Sequence, residues 1–217
     1  MTKYNRKARP RDAKKNKAIL KSAMQLFLKN GYANTSMDAI AAHAKVTKQT
    51  VYSHYKSKDV LFSYMIAMLC EKYHDAKPLS QDSEQPVEAL LYQIGILLLN
   101  MLTSKDVVAA TRLVIAEAHH HPKLAERYYQ DGTQRLITML AQFLAAKNKR
   151  GKLHISDTAS AASYFFALLK GRYYLRMLLG IKPIPPESAK RAHVRETVTI
   201  FMHLYSGNHP MHTKSVF

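Results

Sequence analysis

The sequence predicts an all-α protein of about nine helices. Apolar residues recur at three- and four-residue intervals through most of the 217-residue chain, and no stretch alternates with the two-residue period of a strand. Ser, Thr, Gly and Pro stand where such helices would start and stop. No internal repeat interrupts this pattern. Hydrophobic residues make up 47% of the chain, enough for a sizeable core in one or two domains.

Residues 1–11 carry Lys3, Arg6, Lys7, Arg9 and Arg11 and no acid, and read as a basic disordered arm, either solubilising or reaching into a DNA groove. From Asp12 to Asn30, Ile19, Ala23, Leu26 and Phe27 form one helical stripe and Lys14, Lys17 and Lys21 another. Gly31 is placed to end that helix in a left-handed conformation. Thr35 is an expected N-cap, with Asp38 as the acid of a shortened capping box. The helix Ser36–Ala44 gathers Met37, Ile40, Ala41 and Ala44 on one side. Thr47 caps a second short helix, to about His54, and Ser57 a third, from Lys58 to about Tyr73. The third is apolar over most of its surface, through Leu61, Phe62, Met65, Ile66 and Leu69.

A polar loop is expected over Pro78–Pro86. Helices then follow over Val87–Thr103, Lys105–His120 with Ser104 as N-cap, and Pro122–Ala146 with proline in the first turn. Asn148–Lys152 is a basic turn. Ser156 caps a helix that ends before Gly180. Pro183, Pro185 and Pro186 make a stiff break before a last helix, Glu187–Ser206, ended by Gly207. The organisation expected is the arm at 1–11, a DNA-binding domain at 12–58, a larger helical domain at 59–207 and a flexible tail at 208–217.

Composition narrows the function. The single Cys70 excludes an internal disulfide framework, fits a reducing cytosol and reads as a buried structural thiol. Met1 to Lys17 is polar and basic, so no signal peptide is expected. The most apolar window, Val87–Leu102, is interrupted by Glu88, Gln93 and Gly95 and falls short of the roughly 20 residues of a spanning helix. A cytoplasmic protein with no membrane partner is expected. Net charge is +18, and residues 1–60 hold 14 Lys/Arg against 3 Asp/Glu. That concentration points to a polyanion. No nucleophile–base set, paired carboxylates or Gly-rich phosphate loop is visible, so neither an enzyme nor a cofactor is expected. His119, His120 and His121 are consecutive and point in different directions around a helix, which suits a helix end better than a metal.

Counted from the helix that ends at Asn30, the helix Ser36–Ala44 is the second and the one capped by Thr47 the third. The tight turn between these two makes a helix-turn-helix, whose last helix lies in the major groove. Ala41, Val46, Val51 and Tyr55 are the expected inward residues. Thr47, Lys48, Gln49, Thr50, Tyr52, Ser53 and His54 then face outward. Lysine donates to guanine and glutamine pairs with adenine, while hydroxyls and helix starts suit phosphates.

These residues carry a resemblance. Thr35-Ser36-Met37-Asp38-Ala39-Ile40-Ala41 and the run from Val46 to Phe62, preceded by Phe27 and Gly31-Tyr32, resemble the DNA-binding domain of the TetR family of transcriptional regulators over about residues 14–62. Downstream, Arg112–Ala118, Pro122, Leu124, Tyr128-Tyr129, Gly132, Arg135 and Leu168–Gly171 resemble the C-terminal domain of the AefR-like subgroup. Lys45 departs from the family pattern, which often has glycine at that turn. A lysine held there in a left-handed conformation costs about 1 kcal/mol.

The resemblance implies a homodimer that binds double-stranded operator DNA and releases it when a small hydrophobic effector binds the C-terminal domain. Carried over by position, Lys48, Gln49 and Ser53 contact bases. Thr35, Ser36, Thr50, Tyr52, His54 and Lys58 contact phosphates, supported by Thr47 and Lys56. A pocket among the C-terminal helices is implied, with Tyr92, His119, Phe143 and Phe165 the chosen lining residues. The dimer surface is expected along Val194, Val198, Phe201 and Tyr205 of the last helix and Leu168, Leu175 and Leu179 before it, as a four-helix bundle. Two other readings fit the same charge: a non-specific architectural DNA binder, and an activator of the same fold.

Overall fold

The computed structural model describes residues 10–71, 84–181 and 184–206; the side chains of residues 10–12, 70 and 71 are also outside the description. Residues 1–9 of the expected arm, the tail, most of the loop before Pro86 and the Cys70 thiol therefore lie outside the described residues, while Pro10 and Arg11, expected in the arm, already belong to the first helix. The described chain is all-helical, with no strand. In order it forms α1 (Pro10–Asn30), α2 (Met37–His43), α3 (Lys48–His54), α4 (Lys58–Glu71), α5 (Val87–Leu102), α6 (Lys105–Glu117), α7 (Pro122–Tyr128), a π-helical turn (Tyr129–Gln134), α8 (Arg135–Lys149), α9 (Thr158–Gly171), α10 (Tyr174–Leu178) and α11 (Glu187–Tyr205).

Two elements differ from the sequence expectation. The segment expected over Pro122–Ala146 is divided by the π turn, and the one expected up to Gly180 is divided between α9 and α10. Several caps follow the sequence. Thr47 Oγ1 accepts from the Thr50 N–H at 3.2 Å, Ser57 Oγ from Val60 at 3.3 Å and Ser104 Oγ from Val107 at 3.3 Å. Two caps move by one residue. Ser36, not Thr35, caps α2 by accepting from the Ala39 N–H at 3.1 Å. Asp157, not Ser156, caps α9 by accepting from Ala159 at 2.9 Å and Ser160 at 3.1 Å.

The chain divides into two compact units. The first is residues 1–71 with 109–132, and the second is residues 72–108 with 133–217. In the first, α1 packs on α2 and α4, α2 on α3, and α7 on α4. Ile19, Ala23, Phe27, Ile40, Val51, Leu61, Phe62 and Met65 are fully buried there. The Phe27, Tyr32 and Phe62 rings cluster at 5.2–5.9 Å between centroids.

In the second unit, α5 and α9 pack against α11, and α8 packs against α9. The α5–α11 crossing is close because Gly95 has no side chain: a Cβ there would stand 2.6 Å from Val194 Cγ1. This corrects the expected dimer stripe. Val194, Val198 and Phe201 are at most 2% exposed, and the Phe201 ring packs edge-on against Phe165 at 5.3 Å. Their heptad-like spacing serves the core of their own subunit. Among the described residues no single helix is long and apolar enough to cross a membrane.

Candidate nucleic-acid interface

The interface is built on α3. Val51 and Tyr55 anchor the helix, at 0% and 1% exposure, and the Tyr55 hydroxyl donates to Asn16 Oδ1 on α1. With those two residues inward, Thr47, Lys48, Gln49, Tyr52 and Ser53 are exposed, and Thr50 and His54 are half-buried. The start of α3 is wired internally. Thr47 Oγ1 and Thr50 Oγ1 share a hydrogen at 2.8 Å, and Ser53 Oγ donates to the Thr50 carbonyl at 2.8 Å.

Lys48 has a partner that the sequence pattern assigns to a different role. Its Nζ stands 2.7 Å from Asp38 Oδ2, with both side chains exposed. Asp38 therefore meets α3 instead of closing a capping box. The hydrogen bond to Asp38, followed by its charge, holds the Lys48 pKa above the ordinary lysine value. The same ammonium lies 6.0 Å from the centre of the Tyr52 ring. On the flank, Lys14, Lys17 and Lys21 of α1 and Lys56 beyond α3 are exposed.

The turn between α2 and α3 is a Schellman closure. The Val46 N–H reaches the Ala41 carbonyl at 3.1 Å and the Lys45 N–H reaches Ala42 at 3.1 Å. Lys45 sits at φ 53°, the left-handed conformation that glycine adopts most readily.

Two of the expected phosphate contacts are engaged elsewhere. Thr35 is 1% exposed, and its hydroxyl bonds the Leu26 carbonyl at 3.2 Å and Gly31 at 2.8 Å. It ties the end of α1 to the following turn. The Lys58 ammonium donates to the Tyr32 carbonyl at 2.8 Å and the Ala33 carbonyl at 3.3 Å, and lies 4.4 Å from the Tyr32 ring centre. Burial holds its pKa below the ordinary lysine value. Ser36 remains exposed at the start of α2.

Two family profiles match the chain. One, described as bacterial regulatory proteins of the tetR family, covers residues 19–65 and so contains α2 and α3. The other, the AefR-like transcriptional repressor C-terminal domain, covers residues 89–207, more than half of the chain. The chain belongs to the TetR family. This TetR-family chain is 26% identical to a TetR-family transcriptional regulator from Mesorhizobium loti MAFF303099, whose structure superposes with a TM-score of 0.78 over 91% of this chain and all of that one. It is 29% identical to the flavonoid-responsive regulator FrrA, with a TM-score of 0.74 and the same coverage. Among curated relatives, the uncharacterized HTH-type transcriptional regulator YvkB of Bacillus subtilis (strain 168) is 25% identical, over 78% of this chain and 86% of its own.

The residues chosen as pocket lining fall in different places. Tyr92 is half-buried on α5, and Phe143 on α8 and Phe165 on α9 are in the core of the second unit. Lys147 Nζ lies 5.7 Å from the Phe143 ring centre. His119 belongs to the first unit and is exposed, its ring edge-on to His120 at 5.2 Å. His121 turns the other way, its Nε2 3.7 Å from Glu117 Oε2. In the second unit the exposed apolar residues coincide only in part with the expected dimer surface. Tyr164, Leu175, Leu179, Ile200 and Leu204 are 38–64% exposed, so Leu175 and Leu179 keep their place on a surface, while Leu168 and Tyr205 are half-buried.

Proposed function

We propose that the protein is a ligand-responsive repressor. As a homodimer it holds operator DNA with α3 in the major groove, and it releases that DNA when a small hydrophobic effector binds the second unit. The observation that carries this is the division of α3: Val51 and Tyr55 are buried, while Lys48, Gln49, Tyr52 and Ser53 face solvent. In this reading Lys48, Gln49 and Ser53 meet base edges. Ser36, Thr47, Thr50, Tyr52, His54 and Lys56 meet phosphates. The family supports dimerisation, and Tyr164, Leu175, Leu179, Ile200 and Leu204 supply the apolar area for it. The likeness to a flavonoid-responsive regulator favours a planar aromatic effector. The repressor works in the cytoplasm, without a membrane partner.

Fluorescence anisotropy tests the reading, with DNA from the gene's own upstream region against a random duplex at low and near-physiological salt. Sequence-preferring binding by two protomers that persists at the higher salt is the expected result. Loss of both duplexes together would leave only a non-specific electrostatic grip. In sedimentation, Leu175→Asp with Leu179→Asp is expected to give monomers. An intact dimer would remove this face from the interface.

A further inference from the structure

The turn between α1 and α2 is held by two charged side chains from outside the helix-turn-helix. Glu117 is the last residue of α6. Its Oε1 accepts the Tyr32 N–H at 3.0 Å and stands 3.4 Å from the Ala33 N–H. On the opposite side, the Lys58 ammonium takes the Tyr32 and Ala33 carbonyls at 2.8 and 3.3 Å. Both N–H groups of two successive residues thus rest on one carboxylate, and both carbonyls on one ammonium. Charge-assisted bonds of this kind are the stronger ones.

The preceding residue is shaped to admit the carboxylate. Gly31 has φ +83°, and a Cβ there would lie 3.2 Å from Glu117 Oε1. The Glu117 side chain is only 16% exposed, and its other oxygen faces His121 Nε2 at 3.7 Å. The His121 ring in turn meets the Tyr32 ring edge-on at 5.3 Å. The Tyr32 hydroxyl donates to Asp59 Oδ1 at 2.5 Å. Every polar group of Tyr32 is therefore engaged, and Glu117 reaches it from 85 residues away.

This turn feeds directly into the recognition helices. Four residues after Tyr32, Ser36 begins α2, and α2 carries the Schellman turn that leads into α3. Tilting the Tyr32–Ala33 peptides tilts the start of α2. We propose that Glu117 is a positioning residue for DNA binding: by accepting the N–H groups of Tyr32 and Ala33 it sets the orientation in which α2 and α3 meet DNA. The proposal rests on the reading of α2 and α3 as the DNA grip. It gives the C-terminal end of α6 a defined hold on the head, through one carboxylate.

The test compares wild type, Glu117→Ala and Glu117→Gln. Three quantities are read for each: affinity for the preferred upstream duplex, melting temperature, and amide hydrogen exchange at Tyr32 and Ala33. The glutamine amide oxygen still accepts hydrogen bonds; alanine accepts none. Glu117→Ala is expected to bind about tenfold more weakly, with faster exchange at both amides and α3 amides still protected. Glu117→Gln is expected to recover most of the affinity and the protection. Wild-type affinity in Glu117→Ala overturns the proposal. So does an equal loss in both variants that tracks their melting temperatures, since that is global destabilisation. If wild type itself shows no duplex preference, the DNA-grip reading fails first, and faster exchange in Glu117→Ala then describes a structural staple only.

Discussion

Lys45 is a non-glycine residue at φ 53° in the turn that joins α2 to α3. Left-handed backbone costs an ordinary L-residue about 1–2 kcal/mol, and glycine very little. Glycine returns part of this gain through its looser unfolded chain, about 0.4–1 kcal/mol. Lys45→Gly is therefore expected to stabilise the turn by a net of about 0.5–1 kcal/mol. Lys45→Ala removes the same charge but keeps the strain, and so serves as the control. The Val46 N–H, bonded to the Ala41 carbonyl at 3.1 Å, reports the turn directly. Its native-state hydrogen exchange should be about two- to fivefold slower in Lys45→Gly than in Lys45→Ala. A local probe is preferable to a global melt here, because a chain of two units need not unfold in one step. Equal or faster exchange in the glycine variant would refute the argument, and would mean that the left-handed strain at position 45 does not exceed the cost of ordering the looser glycine chain.

Contacts of single residues support three further predictions. Asp38→Asn removes the carboxylate that holds Lys48 at 2.7 Å; with the lysine released to read a base, binding should tighten more on the preferred duplex than on random DNA, and equal tightening on both would count against it. Tyr32 is held neutral far above the ordinary phenol range by burial, then by its bond to Asp59. The unfolded chain loses that proton above pH 10 while the folded one keeps it, so stability falls as pH rises past 10. Tyr32→Phe should flatten that alkaline fall in urea midpoints, and parallel curves would contradict the sign. Gly95→Ala gains about 1 kcal/mol of helix propensity, yet places a Cβ 2.6 Å from Val194 Cγ1. Overpacking of about 1–3 kcal/mol should leave it less stable in thermal melts, and adding Val194→Ala should recover part of the loss.

The parts of the fold legible in the sequence are those with local causes. Thr47, Ser57 and Ser104 cap helices because a hydroxyl reaches an N–H three residues on, and such pairs are visible in the chain itself. The inward pair Val51 and Tyr55 follows from helical spacing, and with it the outward residues of α3. Long-range contacts gave no such signal. Glu117 and Tyr32 meet across 85 residues, with only a lone acid at the end of an apolar helix to announce it. Thr35 had the chemistry of a cap, but the adjacent Ser36 took that role and Thr35 turned inward to two carbonyls. Periodicity found the stripe of Val194, Val198 and Phe201 without saying what covers it. The Gly95 gap opposite brings α5 onto that stripe, while Ile200 and Leu204 stay exposed on the same helix.

The central claim is that α3 reads base edges, and Lys48→Ala tests it most directly. Its affinity should be measured on the preferred upstream duplex and on a random duplex at one salt concentration. A base-reading lysine predicts a loss of about 1–3 kcal/mol on the preferred duplex and a much smaller loss on random DNA, so that the preference between them shrinks. Equal losses on the two duplexes would make Lys48 a phosphate contact and contradict the account of α3.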